Sequence, residues 1–214
     1  MDQQTKAKLL VELTGIEQLS VSENLNWPEA YCKDTSKIRA IVLGCDPSNQ
    51  HDQNLKYAFG IETETPLLKQ FFAGVQKNLA VVGLSLEDVY AQNFCQNYFE
   101  KETSKNPGWS QAAAVWIPYL KVELDSLPIR KTVPVFLTAS ILYEALTVAG
   151  KKRYSPHELY STPTLLPVDA SDNYLERPLF PLFRGDMGRY DLGQQKWRQY
   201  VNVIKAYLRN HPQA

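Results

Sequence analysis

Short apolar runs alternate with helical patterns along this chain. A continuous apolar, β-branched run predicts a buried strand over 40–45, and further strands are predicted over 88–94, which ends in polar residues, 133–138 and 179–183. Apolar spacing predicts an amphipathic opening helix within the first 25 residues, a short helical turn from Pro28, and helices over 66–79, 110–124, 140–148 and 194–208. Strands that alternate with helices predict an α/β fold. We expect three α/β/α layers around a short, mainly parallel four-stranded central sheet.

Length and composition favour one domain. The chain has 214 residues, of which 44% are hydrophobic, so it can close a single core over residues 1–214, with 1–30 as an N-terminal helical extension. No apolar stretch approaches the length of a membrane span, and the first residues lack the apolar core of a signal peptide. We therefore expect a cytoplasmic protein that does not associate with membranes.

The cysteines and the charges restrict the chemistry further. Cys32, Cys45 and Cys95 show no C-x-x-C spacing, so we expect reduced thiols and neither a disulfide framework nor a metal site. Lysine and arginine balance aspartate and glutamate at 23 each, which argues against binding of nucleic acid by bulk charge. However, residues 1–129 carry a net charge of −5 and residues 130–214 one of +5. An anionic partner is therefore expected on the later half.

Polar residues follow three of the predicted strands. Asp46 follows the first strand, Asn93 ends the second, and the Arg184–Arg189 loop follows the last. Right-handed crossovers place such loops together at the carboxyl ends of parallel strands. A carboxylate there can orient a water or stabilise a developing cation, and an amide can read the edge of a base. Alternatively, both side chains simply cap the strand ends.

The order and spacing of these residues favour the functional interpretation. Leu43-Gly44-Cys45-Asp46-Pro47-Ser48-Asn49 is followed by Tyr57-Ala58-Phe59-Gly60, by Thr65-Pro66-Leu67-Leu68 and by Leu86-Glu87-Asp88-Val89-Tyr90-Ala91-Gln92-Asn93. This series resembles the uracil-DNA glycosylase superfamily over about residues 38–95. The predicted strand and helix over 133–146 are also similar to that family, although many α/β proteins share this feature.

The resemblance implies a role for each matching residue. Phe59 would stack on an extruded uracil, and Asn93 would accept from N3–H and donate to O4 of that base. Asp46 would position the attacking water or stabilise the oxocarbenium-like sugar, while the loop at Pro66 would pinch the DNA backbone. Base flipping is required because a base inside the duplex is out of reach. The structural alternative for Phe59 is an ordinary core aromatic.

The last motif departs from the family pattern. Members usually carry His-Pro-Ser there, whereas this chain has Phe180-Pro181-Leu182, with Phe180 where the histidine would stand. Either Arg184 or a backbone N–H of the following loop replaces the histidine as donor to the leaving base, or catalysis is weak or lost. Loss of one such donor typically costs about 10²–10³-fold in rate. His51 lies near the first motif and is either a pocket residue or an ordinary loop histidine.

Ser48 is a second departure. In the best-known branch a tyrosine at this position excludes the methyl group of thymine, so the small Ser48 leaves that exclusion unexplained. Tyr57 could form the wall instead, or the pocket accepts a wider set of bases. We therefore count Ser48 and Tyr57, with Phe59 and Asn93, among the predicted base-binding residues.

The last loop is the predicted DNA contact. Arg184, Arg189 and the nearby Arg177 could neutralise phosphates, and Met187 between two glycines could enter the base stack as a wedge. The structural alternative is a plain surface turn.

Two hypotheses follow from the sequence. In the first, the chain is a monomeric DNA glycosylase that excises uracil or a related damaged base from single- or double-stranded DNA. Water is its second substrate, and we expect no metal and no organic cofactor. In the second, the same scaffold binds a nucleobase or DNA without catalysis, because a fold does not fix function. A nucleotide-dependent enzyme of another type lacks support, since no glycine-rich phosphate-binding motif is present.

Overall fold

The computed structural model describes residues 1–23, 26–47, 55–62, 66–185 and 193–212, with side chains except at 66–71 and 193–194. Its central feature is one sheet of four strands in the order β2-β1-β3-β4, with every neighbouring pair parallel. The strands are β1 Ala40–Gly44, β2 Val89–Asn93, β3 Val135–Leu137 and β4 Leu179–Pro181. The predicted short, parallel, four-stranded sheet is therefore confirmed.

Helices cover both faces of this sheet, which confirms the α/β class and the three layers. The α-helices of the described residues are α1 Gln3–Thr14, α2 Pro66–Val81, α3 Trp109–Ser126, α4 Ser140–Leu146, α5 Pro156–Ser161 and α6 Gly193–Asn210. One core, here the first core, lies between the sheet and α1, α3 and α4. The second core lies between the opposite face and α2 and α6.

Strand β1 shows why the central strands read as continuous apolar runs. Ile41 and Leu43 point into the first core, whereas Ala40 and Val42 point into the second, and all four are fully buried. A strand covered on both faces has no solvent side, so the polar half of the usual alternation disappears. Gly44, the last residue of β1, pairs in register with Asn93 of β2.

Two predictions near the N-terminus are wrong. Helix α1 ends at Thr14, where the Gly15 N–H bonds to the carbonyl of Val11, instead of continuing toward residue 19. The helical turn predicted from Pro28 is absent from the described structure around it. The segment is extended, because Tyr31 exchanges two backbone hydrogen bonds of 2.8 and 2.9 Å with Ala91 of β2.

The N-terminal helix α1 and the later helix α5 both pack into the fold. Leu9 and Leu13 of α1 are fully buried in the first core, so the segment predicted as a helical extension contributes to the packing. Helix α5, which the apolar spacing does not reveal, packs against β4 and α6. In the described part of the chain no helix combines the length and the apolar character needed to cross a bilayer.

Candidate functional site

Asp46 lies just beyond the carboxyl end of β1 and is partly buried. Its Oδ1 accepts a hydrogen bond from the Thr103 hydroxyl and a second one, of 2.8 Å, from the indole Nε1–H of Trp109. Burial raises the pKa of Asp46 to about 6, although both donors and the nearby Arg184 guanidinium favour the charged form. A carboxylate with a pKa near neutrality can accept a proton from water and release it again.

Phe59 stands in a short helical turn, Ala58–Gly60, and has an unusual backbone conformation. Its φ of 60° and ψ of 6° lie in the left-handed region, which bulky residues rarely adopt. The ring packs against Phe72 of α2 with centroids 5.2 Å apart, and the residue is only 7% exposed. Strain of this kind costs on the order of 1–3 kcal/mol and is concentrated at functional sites.

Asn93 is the end of β2 and is 3% exposed. Its backbone N–H donates to the side-chain Oε1 of Gln92 at 2.8 Å. Its side-chain Nδ2 is buried and finds no hydrogen-bond partner among the described residues. A buried donor without an acceptor costs about 1–3 kcal/mol, so an unpaired amide of this kind calls for an explanation.

The Phe59 ring and the Asn93 side-chain amide meet at Gly44. A Cβ atom added to Gly44 would lie 2.9 Å from Asn93 Oδ1 and 2.9 Å from Phe59 Cε1. The bare backbone of Gly44 therefore allows the ring and the amide to approach the end of β1. Asp46 is two residues further along the chain, which places its Cα within about 7 Å of the Gly44 Cα. Phe59 and Asn93 thus meet at the carboxyl end of β1, and the backbone of Asp46 lies close to this point.

Of the two remaining predicted base-binding residues, Tyr57 and Ser48, the structure describes Tyr57. The Tyr57 ring contacts Tyr31 edge-on, with centroids 5.4 Å apart, and the Lys56 ammonium lies 4.5 Å from the Tyr57 centroid. Tyr57 immediately precedes the turn that carries Phe59. Ser48 falls outside the described residues.

Arg184 is the predicted DNA contact that the structure places near Asp46. The residue is exposed, and its positive charge lowers the pKa of Asp46 against the effect of burial. The backbone around Arg184 is anchored to α2 by Asn78, whose Nδ2 donates to the carbonyls of Phe183 at 2.7 Å and Gly185 at 3.2 Å. Gly74 of α2 leaves room for the Arg184 carbonyl, which a Cβ at that position would meet.

For three further residues that are predicted to contact DNA, the structure describes no side chain. Pro66 begins α2, as the proposed backbone-pinching loop requires, but its side chain is not among those described. Met187 and Arg189 lie outside the described residues.

The prediction that Arg177 contacts phosphate is wrong. Arg177 is 1% exposed, and its guanidinium donates to the carbonyls of Arg130 at 2.9 Å and Leu124 at 3.0 Å. It also pairs with Asp125 at 3.3 Å. The group therefore ties the segment before β4 to the end of α3 and is not available to DNA.

Phe180, which stands where the family histidine is expected, is a core residue. It is fully buried, with ring centroids 5.8 Å from Phe136 and 5.2 Å from Tyr207. Of the histidines, His157 and His211 lie on exposed surface and His211 stacks on Tyr207, whereas His51 is outside the described residues. Within the described residues no histidine therefore takes the missing place beside Asp46.

The thiols next to the site are neutral and unoxidised. Cys45 and Cys95 are free, and their backbones are joined by a 2.8 Å hydrogen bond from the Cys95 N–H to the Cys45 carbonyl. Burial, with a contribution from the Asp46 charge, raises the pKa of Cys45 to about 12 and that of Cys95 well above its ordinary value. Within the described ranges no group of three or more histidine, cysteine or acidic side chains is arranged to hold a metal ion.

Sequence reasoning missed the residues that hold the site in place. Thr103 and Trp109 donate to Asp46 from positions 57 and 63 residues further along the chain, and Gln92 accepts from the backbone N–H of Asn93. The turn cluster Asn106-Pro107-Gly108, just before α3, is the available signal, because such clusters bring a loop back to a sheet edge. The predicted helix began one residue late, at Ser110, and so excluded Trp109.

The resulting site combines a flat apolar face, an amide and a carboxylate. The Phe59 ring offers a stacking surface, Asn93 offers a hydrogen-bond donor and acceptor, and Asp46 offers a base or a negative charge. A planar heterocycle with polar edges is the kind of ligand that uses all three. Neither models of known protein families nor curated proteins gave a match to this chain.

Proposed function

We propose that this protein is a DNA glycosylase that flips uracil or a related damaged base out of DNA and hydrolyses its N-glycosidic bond. The observation that carries the proposal is the convergence at Gly44 of the Phe59 ring and the Asn93 amide, whose buried Nδ2 has no partner among the described residues. A base that stacks on Phe59 and presents a carbonyl oxygen to Nδ2 satisfies that donor. Recognition by stacking and edge hydrogen bonds is typical of flipped bases.

Hydrolysis requires a nucleophile on the sugar side of the base. Asp46 holds a water with its carboxylate, and the water oxygen bonds to C1′ as the C1′–N bond breaks. The electron pair of that bond leaves with the base, and a proton of the water passes to Asp46. The negative charge of Asp46 also stabilises the cationic sugar as it develops. A pKa of about 6 keeps most of the carboxyl group ionised at neutral pH.

The leaving base needs electrostatic help, and within the described residues no histidine lies beside Asp46 to supply it. Arg184 is the nearest candidate among the described cations, because its charge acts on Asp46 and its loop is anchored to α2. A guanidinium donates hydrogen bonds at any physiological pH, so it can stabilise the anion of a departing base. Its exposure makes it a weaker donor than a buried group, and we therefore expect slow turnover.

The buried Phe180 favours a second candidate function, namely a module that binds a nucleobase or DNA without cleaving it. The two functions are separated by incubation of the protein with oligonucleotides that carry uracil, hypoxanthine or an oxidised pyrimidine, in single- and double-stranded form. Stoichiometric protein and alkali treatment reveal even one slow turnover as strand cleavage at the abasic site.

We expect cleavage with at least one of these substrates, loss of cleavage in Asp46→Asn, and normal cleavage in Asp172→Asn. Asp172 is the matched control, because it forms a surface ion pair of 2.7 Å with Lys151. Saturable, salt-dependent binding with no abasic product from any substrate would instead establish the non-catalytic function.

A further inference from the structure

Helix α3 carries a row of polar contacts toward the proposed site. Trp109, Trp116 and Glu123 are spaced seven residues apart, which is about two helical turns, so they lie on one face of the helix. Trp109 Nε1 donates to Asp46, and Trp116 Nε1 donates to Asn97 Oδ1 at 2.8 Å. Glu123 accepts from the side chains of Tyr90, Gln92 and Gln96.

Two of these contacts lead to proposed site residues. The first reaches Asp46 directly, at Oδ1. The second reaches Asn93 through one intermediate, because Gln92 donates to Glu123 at 3.2 Å and accepts from the Asn93 N–H at 2.8 Å. One face of α3 therefore supports the carboxylate of Asp46 directly and the backbone of Asn93 through Gln92.

The contacts of Asp46 differ between its two oxygens. Thr103, in the loop that leads into α3, and Trp109, the first residue of α3, both donate to Oδ1. Neither of them contacts Oδ2. Two donors from different directions fix the rotation of the carboxylate plane as well as its position, since a single hydrogen bond would leave the group free to turn about it.

We infer that Thr103 and Trp109 are positioning residues that hold Oδ1 of Asp46 and leave Oδ2 as the oxygen that meets the attacking water. The inference rests on the proposed glycosylase function and adds to it the residues that orient Asp46, the general base. Trp109 is fully buried and packs against Phe94 with centroids 5.9 Å apart, so its indole N–H is a rigid donor. A preorganised carboxylate needs no rearrangement when the water attacks C1′.

The other charged and titratable groups near Asp46 do not duplicate this role. Arg184 acts on Asp46 from the loop after β4, and its side chain is exposed. The thiols of Cys45 and Cys95 stay neutral because burial raises the pKa of both. Thr103 and Trp109 are thus the described side chains that donate hydrogen bonds to the carboxylate.

The test measures the Asp46 carboxyl group itself by NMR titration of carbon-13-labelled protein, without DNA. Thr103→Val and Trp109→Phe each remove one donor to the charged form, so we expect the midpoint of the Asp46 titration to rise by about one pH unit in each. Thr103→Ser keeps the hydroxyl and restores the midpoint. Trp116→Phe is the matched control, since Trp116 is equally buried on the same face of α3 but donates to Asn97.

A second readout separates orientation from ionisation. At pH 8, where Asp46 is ionised in the wild type and mostly ionised in the variants, we expect the single-turnover rate of base release to fall about 10-fold in Thr103→Val and Trp109→Phe. DNA affinity is expected to stay unchanged, and Thr103→Ser and Trp116→Phe are expected to keep the wild-type rate.

The outcomes distinguish the inference from the proposed function. An active wild type whose Asp46 titration and rate ignore both substitutions would overturn the positioning role alone. A wild type that releases no base would overturn the proposed function and the positioning role in that reaction, even if the Asp46 titration responds as expected. Equal effects of Trp109→Phe and Trp116→Phe would show that loss of packing, and not loss of the hydrogen bond, is responsible.

Discussion

The carboxyl ends of β1 and β2, here the β1 and β2 half, differ from the carboxyl ends of β3 and β4, here the β3 and β4 half. The difference lies in how completely the polar groups at these strand ends are hydrogen-bonded. After β1 and β2 lie a partly buried carboxylate, Asp46, and the amide of Asn93, whose Nδ2 has no partner among the described residues. After β3, Thr138 donates both its N–H and its hydroxyl to the carbonyl of Leu43, at 3.1 and 2.9 Å. In β4, Phe180 is packed among aromatic rings.

The difference concerns the strand ends themselves, because buried side-chain atoms without a partner also occur elsewhere in the described residues, among them Tyr143 Oη and Ser161 Oγ. The strained backbone of Phe59 also belongs to the β1 and β2 half, beside Gly44. Strain and unsatisfied donors reduce stability, so a fold keeps them where they serve a ligand or a reaction. In the β3 and β4 half, Phe180 stands where the resemblance in the sequence predicts a histidine, and its ring packs in the second core.

The largest expected effect comes from removal of the Asp46 charge. Asp46→Asn keeps the shape of the side chain but can neither take a proton from water nor stabilise a cationic sugar. We expect the single-turnover rate of base release to fall by roughly 10³-fold, which combines the usual contributions of a general base and of charge stabilisation. A fall of less than 10-fold would indicate that the reaction does not take place in the β1 and β2 half.

Phe180→His tests the other half. If the β3 and β4 half is only core, a histidine there gains no contact with the base and leaves a polar ring buried without partners. We expect the free energy of unfolding to drop by roughly 2–4 kcal/mol, measured by urea denaturation, with no gain in base release. Phe180→Leu is the apolar control, and we expect a smaller loss. A 10-fold gain in the rate of base release for Phe180→His would indicate that both halves belong to one active site.

Gly44→Ala sharpens the comparison at the meeting point of the pocket. The added methyl group would lie 2.9 Å from both the Asn93 amide oxygen and the Phe59 ring, so one of them must move. We expect about 1–3 kcal/mol of destabilisation together with weaker binding of uracil-containing DNA. Gly15→Ala is the control, since its Cβ would meet nothing closer than 3.5 Å. Unchanged binding in Gly44→Ala would argue that the base lies elsewhere.

Arg184→Ala is expected to have the smallest effect on DNA binding, and because Arg184 is also the proposed donor to the leaving base, base release should slow as well. Loss of one phosphate contact lowers DNA affinity only a few-fold, but it reduces the slope of log affinity against log salt concentration by about one. Arg153→Ala, which removes an exposed charge from another region, should leave both the affinity and the slope unchanged. Fluorescence anisotropy over a range of salt concentrations measures the two quantities. Equal slopes for wild type and Arg184→Ala would remove Arg184 from the DNA surface.

The sheet was predictable because its strands are buried on both faces. Ala40–Gly44 is a continuous apolar run, Val89–Asn93 is buried along its whole length although it ends in Gln92 and Asn93, and α2 separates the two strands in the sequence. Parallel strands connected in this way bring Asp46 and Asn93 to one edge, so the convergence followed from topology. The extended segment at Tyr31 was not predictable, because its two hydrogen bonds to Ala91 depend on tertiary pairing and leave no local pattern.

The roles of Thr103 and Trp109 could not be predicted from the sequence for the same reason. Thr103 and Trp109 look like ordinary loop and core residues until α3 is docked beneath the end of β1. Arg177 shows the opposite error, since a basic residue close to a predicted DNA loop turned out to be buried against carbonyl groups. Charge counted along the sequence does not show which side chains face inward.

The pH dependence of base release tests the central claim most directly. Burial raises the pKa of Asp46 to about 6, and only the ionised form can act as the base. The single-turnover rate on a uracil-containing oligonucleotide should therefore rise with pH, pass its midpoint near pH 6 and level off above it. This rise should be absent from the residual activity of Asp46→Asn. No base release at any pH, or the same pH profile in both proteins, would contradict a glycosylase site built on Asp46.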